Sequence, residues 1–189
     1  MHANVIFGKT RLLNQGPSTM RYVIDACNLI FQDHVLEETL DTRGFPAVRA
    51  LLVRILTRFA EAERLDEITA VFDGSEKAQH RPRSEVCGQG HVRLIFANPR
   101  DQADQEIIDM VHGAQQPGSM TVVTNDKFIV REIKSAGGKS LGCGPFLKRI
   151  RRSVRRANDP LRGEDPRKYH GISPREVEEW MEIFGFQDD

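Results

Sequence analysis

Three short apolar runs that each close on an aspartate constrain this chain most: Tyr22-Val23-Ile24-Asp25, Ala70-Val71-Phe72-Asp73 and Thr121-Val122-Val123-Thr124-Asn125-Asp126. Runs of this length suit strands buried on both faces. Between them the apolar period changes to three and four. Val48, Leu51, Leu52, Ile55, Leu56 and Phe59 form one face of a helix leading towards Arg64. Glu67 to Phe72 follows as a second strand, and then a polar loop from Gly74 to Gly90, rich in Arg, Lys, His and Gly. Val92 to Ala97 makes a third strand, which Asn98-Pro99-Arg100 breaks. Asp101 is placed to cap a helix that starts near Gln102 and carries the stripe Ile107, Ile108 and Val111. After the turn Gln116-Pro117-Gly118, Met120 to Thr124 is a fourth strand, and Phe128, Ile129 and Ile133 mark a helix stopped by Gly137-Gly138. Lys139 to Leu141 reads as a weaker fifth strand ahead of a helix through Phe146, Leu147 and Ile150. Strands alternating with helices imply a mainly parallel central sheet with helices on both faces, a three-layer α/β/α arrangement.

The ends of the chain read differently. Residues 1–19 have no sustained period and precede a second methionine, Met20, so they are expected to be a flexible extension. The domain is expected over 20–157, with 158–189 as a linker and a docked terminal helix. Ser173-Pro174-Arg175-Glu176 is a capping box with proline at the first helical position, and Val177, Trp180, Met181 and Phe184 make the apolar face behind it.

With 189 residues and 39% hydrophobic content the chain can bury one real core. No run reaches the roughly eighteen uncharged apolar residues of a membrane span, and the start lacks a secretory pattern, so a cytoplasmic protein is expected. Cys27, Cys87 and Cys143 are far apart and form no C-x-x-C, which argues against a disulfide framework or a cysteine zinc site. The 27 basic and 27 acidic residues cancel, yet their distribution is uneven. Between Leu147 and Tyr169 stand Lys148, Arg149, Arg151, Arg152, Arg155, Arg156, Arg162, Arg167 and Lys168, a local positive field suited to a phosphate backbone or to a solvated helix face.

In an open parallel sheet the carboxyl ends of the strands border the crevice where ligands bind, so Asp25, Asp73 and Asp126 can converge there. Asp101 and Asp104, at the start of the following helix, join them or serve as first-turn acids that complement the helix dipole. Carboxylates crowded together raise one another's pKa unless a cation compensates. Oxygen ligands without histidine or cysteine favour magnesium or manganese over zinc, and such a site suits phosphodiester hydrolysis. Asn28 is spaced to orient a carboxylate, as are Thr124 and Asn125, unless these close a turn.

The order D-A-C-N-L-I from Asp25, V-F-D at Asp73, D-Q-A-D ending at Asp104, V-V-T-N-D at Asp126, and A-G-G-K-S-L-G-C-G-P-F-L resembles the NYN domain, specifically its YacP-like branch of the PIN-like nucleases. The resemblance covers roughly Arg21 to Ile150, and E-V-E-E-W-M-E-I-F-G is similar to the tail helix often attached to that branch. It implies a PIN-like α/β/α fold, Mg2+ or Mn2+ dependence, and cleavage of RNA by an endoribonuclease. Asp25, Asp73, Asp104 and Asp126 would be the metal-site acids, with Asn28 as their polar companion and Asp101 as a further candidate. The family's D-G-Y-N stands here as D-A-C-N, without the aromatic. The expected RNA surface comprises Lys77, His80, Arg81, Arg83, Arg100, Lys127, Lys148, Arg149 and Arg152, with single-stranded or structured RNA, free or at the ribosome, as partner.

Three rival readings exist. A non-catalytic RNA-binding module of the same fold would need the basic surface but not the acids. An aspartyl-phosphate phosphatase wants a second Asp two residues after the first, where Cys27 stands. DNA in place of RNA is disfavoured only by the resemblance. Cys27 itself is a poor nucleophile, because carboxylate neighbours raise a thiol pKa and no histidine lies close in sequence.

Overall fold

The computed structural model describes residues 20–74, 83–97 and 102–158. The N-terminal extension, the linker and terminal helix beyond residue 158, and Lys77, His80, Arg81, Arg100 and Asp101 lie outside the described residues.

The expected alternation is present. β1 (Arg21–Asp25) leads into a short α1 (Ala26–Ile30), α2 (His34–Arg43) and α3 (Phe45–Glu63), followed by β2 (Ile68–Phe72). β3 (Ser84–Cys87) and β4 (Val92–Phe96) come next, then α4 (Ala103–His112), β5 (Met120–Val123), α5 (Lys127–Ser135), β6 (Lys139–Leu141) and α6 (Cys143–Ala157). The sheet order is β3-β4-β2-β1-β5-β6. All neighbouring pairs are parallel except β3 with β4, so β3 is an antiparallel edge strand.

Alternation along β1 divides the core. Tyr22 and Ile24 join α1, α2, α3 and α6 on one face of the sheet, while Val23 joins Ile107 and Val111 of α4 and Ile129 and Ile133 of α5 on the other. α3 buries Val48, Leu52, Ile55, Leu56 and Phe59, the residues spaced at three and four. Its Phe59 ring meets Tyr22 and Phe146 with centroids 5.5 and 5.2 Å away, tying α3 and α6 to β1. Removing such a ring costs about 3–5 kcal/mol. α3 starts after Gly44, whose φ of +78° few other residues adopt.

Two local expectations are corrected. The polar loop from Gly74 to Gly90 contains β3, whose residues alternate between exposed and half-buried as an edge strand's do. Phe128 does not join the buried stripe of α5: Ile129 and Ile133 do, and Phe128 is exposed. The helix stop expected at Gly137-Gly138 is present, with Ala136 as the C-cap, Gly137 taking φ +83° and the Gly138 amide bonding back to the Ile133 carbonyl. No helix among the described residues is long and apolar enough to cross a membrane.

Candidate active site

β1 is the hinge of the topology. Its chain leaves through α1 to α3 towards β2 on one side, whereas β5 and β6 lie on the other, so the crevice of an open sheet falls at the carboxyl ends of β1 and β5. Because β2, β1 and β5 are adjacent and parallel, the residues that end them stand side by side, about 4.8 Å per strand. Asp73 follows β2, Asp25 ends β1, and Thr124, Asn125 and Asp126 follow β5.

Asp25 is the buried centre, 5% exposed. Its Oδ1 accepts from the Asn28 amide at 3.0 Å and its Oδ2 from the Thr124 hydroxyl at 2.8 Å. The first bond makes it the N-cap of α1. Thr124 also accepts the Asp126 amide at 3.0 Å, so one hydroxyl links two of the acids. Asp126 in turn caps α5, its Oδ1 accepting from the amides of Phe128 at 2.6 Å and Ile129 at 3.2 Å. Asp73 is exposed, and its Oδ1 accepts the Ala103 amide at 3.0 Å. That bond gives the α4 N-terminus the capping oxygen that its own N-cap, Gln102, does not supply.

Asn28 and Asn125 link the ends of β1 and β5 to α6. The Asn28 Oδ1 accepts from the Asn125 amide at 3.4 Å, and the Asn125 Oδ1 accepts the Cys143 amide at 3.0 Å. Asn125 thereby caps α6, and it needs a small neighbour: a Cβ on Gly142 would sit 3.2 Å from that same oxygen.

The electrostatics join the four acids in one field. Burial raises the Asp25 carboxyl above its usual range, the Asn28 amide and the Thr124 hydroxyl oppose this, and the charges of Asp104 and Asp73 add to it. Asp104, half-buried on the first turn of α4, is raised by burial, then by Asp126 and Asp73. Burial pushes the Cys27 thiol up to about 12; an Asp73 amide bond offsets part of this, and the Asp73 and Asp25 carboxylates reinforce it. Cys143 rises to about 11, again through burial and then Asp25. Neither thiol is a nucleophile near neutral pH. Among the described residues, no three His, Cys, Asp or Glu side chains stand together as a ready cage for a metal ion.

A model of the YacP-like NYN domain matches residues 22–184. The chain belongs to this family. The match runs past the resemblance read over Arg21 to Ile150 and through the segment expected as linker and terminal helix. The NYN fold is also that of a solved structure, Rae1 (YacP) from Bacillus subtilis, with a TM-score of 0.61 at 17% identity over 87% of this chain and 91% of that one. A tryptophan-to-leucine mutant of the same protein aligns at TM-score 0.60 and 19% identity, covering 87% and 92%. Identity this low speaks for the fold alone. No curated protein matches the chain.

Around the NYN crevice the described basic residues separate into two groups. Lys127 is exposed at the first position of α5, directly after Asp126. Arg83 lies beside the carboxyl end of β4, where its carbonyl accepts the Phe96 amide, and pairs with Glu106 of α4, two residues from Asp104 and so on another side of that helix. Lys127 therefore borders the acids, and Arg83 stands at the same end of the sheet, two strands from Asp25. The α6 residues Lys148, Arg149 and Arg152 stand on a helix that begins at the crevice with Cys143 and runs away from it, at about 1.5 Å per residue. Arg149 is also committed to the fold: it pairs with Glu63 at 2.6 Å and lies 5.8 Å over the Tyr22 ring. Arg151, from the same basic tract, pairs at 2.9 Å with the buried Asp33, which caps α2.

Proposed function

We propose that this NYN domain is a cytoplasmic, metal-dependent endoribonuclease that hydrolyses phosphodiester bonds in free or ribosome-bound RNA. Asp104 carries the reading. Asp25, Asp73 and Asp126 each cap a helix, which is reason enough for an acid at those positions. Among the described residues no group donates a hydrogen bond to Asp104, and its carboxyl is raised by burial and by two other acids although it sits in a first turn that favours negative charge. A side chain that costs the fold and is not repaid locally points to a ligand that compensates its charge.

The donor set fits magnesium or manganese, being all oxygen with Asp25, Asp73, Asp104 and Asp126 as holders. Magnesium keeps several of its waters and binds through one or two carboxylates, so a closed protein cage is not required. When bound, the ion would supply an activated water and neutralise charge on the phosphate. The chain's own residues position the parts. Thr124 and the Asn28 amide hold the Asp25 carboxylate, the Ala103 amide holds Asp73, and the α5 amides hold Asp126. Lys127, next to Asp126, and Arg83, at the same end of the sheet, would draw the phosphate backbone in.

The rival reading, a non-catalytic RNA-binding module, draws on the same capping bonds, which explain three of the acids without any metal. Incubating the purified chain with labelled RNAs in magnesium, manganese or EDTA separates the two. Cleavage in either metal that EDTA and Asp104→Asn both abolish supports the nuclease. RNA binding without cleavage in any metal would leave the binding module.

A further inference from the structure

Of the described phenylalanines, Phe59, Phe72, Phe96 and Phe146 are buried and Phe45 packs on the core. Phe31, which closes α1, and Phe128 do neither, and Phe128 is the one that follows Asp126 at the start of α5. It is 51% exposed, and the helix that carries it is held to the sheet by Ile129 and Ile133 instead. Its place is nonetheless fixed, because its amide donates to the Asp126 carboxylate. The backbone that carries the ring is therefore anchored at the rim of the acidic crevice.

The surroundings say what such a ring would meet. The Arg131 guanidinium lies over it, 5.3 Å from the centroid, one turn further along α5. Lys127 precedes it and is exposed. A partner protein or a lipid surface would call for a contiguous apolar patch. Here the ring has the Arg131 guanidinium over it and an exposed lysine next to it in sequence, at the end of a helix whose outer face is polar. A flat π surface backed by a guanidinium and flanked by positive charge matches the chemistry of a nucleobase with its phosphate.

We infer that Phe128, backed by Arg131, is a stacking platform for an unpaired nucleobase of a strand held at the crevice. This rests on RNA being the substrate. Stacking requires a base face free of its neighbours, which a blunt duplex offers only at its ends.

The test is a fluorescence-anisotropy titration of the full chain with a short labelled single strand and with a blunt duplex of the same sequence. Calcium replaces magnesium to limit cleavage while still occupying oxygen ligands. Phe128→Ala should weaken single-strand binding about fivefold to 150-fold, the range alanine substitution gives at stacked bases. Phe128→Trp should retain it, and the duplex Kd should not move. Val86→Ala, which removes a side chain of similar exposure from the far edge of the sheet, is the control. An unchanged single-strand Kd in Phe128→Ala, an equal loss on the duplex, or an equal loss in Val86→Ala would overturn the inference while leaving the ribonuclease reading intact. A wild-type chain that binds neither RNA would overturn both.

Discussion

Replacing Thr124 by valine should destabilise the metal-free protein and do so more at neutral than at acidic pH. The side chain is 1% exposed, and its hydroxyl donates to the Asp25 carboxylate at 2.8 Å while accepting the Asp126 amide at 3.0 Å. Valine keeps the volume and removes both bonds. A hydrogen bond to a charged group is worth about 1.5–3 kcal/mol and an ordinary one about 1 kcal/mol, so the loss should be roughly 2.5–4 kcal/mol. For a chain of this size that lowers Tm by roughly 5–15 °C. The pH dependence follows from Asp25. Its carboxyl is already raised in the folded state, and losing a donor to the charged form raises it further. A folded-state pKa above the unfolded one means that stability is highest below the unfolded value and is lost as pH rises through the folded value. The difference between the two proteins should therefore shrink towards about pH 4, near the ordinary Asp range. Urea unfolding followed by circular dichroism in EDTA measures it, with Thr124→Ser, which retains the hydroxyl, expected within about 1 kcal/mol of wild type. A valine variant as stable as wild type at neutral pH, or a serine variant as weak as the valine, would refute the reasoning.

Asp25→Asn and Asp104→Asn should each abolish metal-dependent cleavage with the fold retained by circular dichroism. In EDTA, Asp104→Asn should melt no lower than wild type at neutral pH, because the raised Asp104 carboxyl costs stability as pH rises through its folded value; a lower Tm there would assign Asp104 a structural role. Arg83→Gln should weaken RNA binding similarly on unrelated sequences and flatten the dependence of log affinity on log salt by about 0.7 for a single lost contact to a single strand. An unchanged salt slope would confine Arg83 to its pair with Glu106. Gly88→Ala should cost about 1–3 kcal/mol, since φ is +56° and the new Cβ would stand 2.0 Å from the Thr57 hydroxyl oxygen; a thermal melt within error of wild type would show that the turn rearranges freely.

The parts of the fold that were legible are those where one periodicity dominates. β1, β2, β4 and β5 are short apolar runs, and α3 repeats its apolar residues at three and four, so burial alone selects them. α2 was not legible because, of the apolar residues Val35, Leu36 and Leu40, only Leu36 is buried, and its start is set by Asp33, whose cap is braced from α6 by Arg151. β3 was not legible because an edge strand with one polar face reads as loop. The acids divide along the same line. That Asp25, Asp73 and Asp126 end strands is visible in the sequence, and parallel pairing is enough to bring them to one edge. Their partners are not visible: the bonds from Thr124 to Asp25 and from Ala103 to Asp73 cross 99 and 30 residues, and no local pattern encodes them. Asp104 shows why this matters for function. In sequence it is one of two first-turn acids, each explicable by the helix dipole. Asp73 accepts the Ala103 amide and so caps one of the amides that open α4 from the end of another strand, whereas the Asp104 carboxyl, raised by burial and by two other acids, accepts no hydrogen bond among the described residues that would offset this.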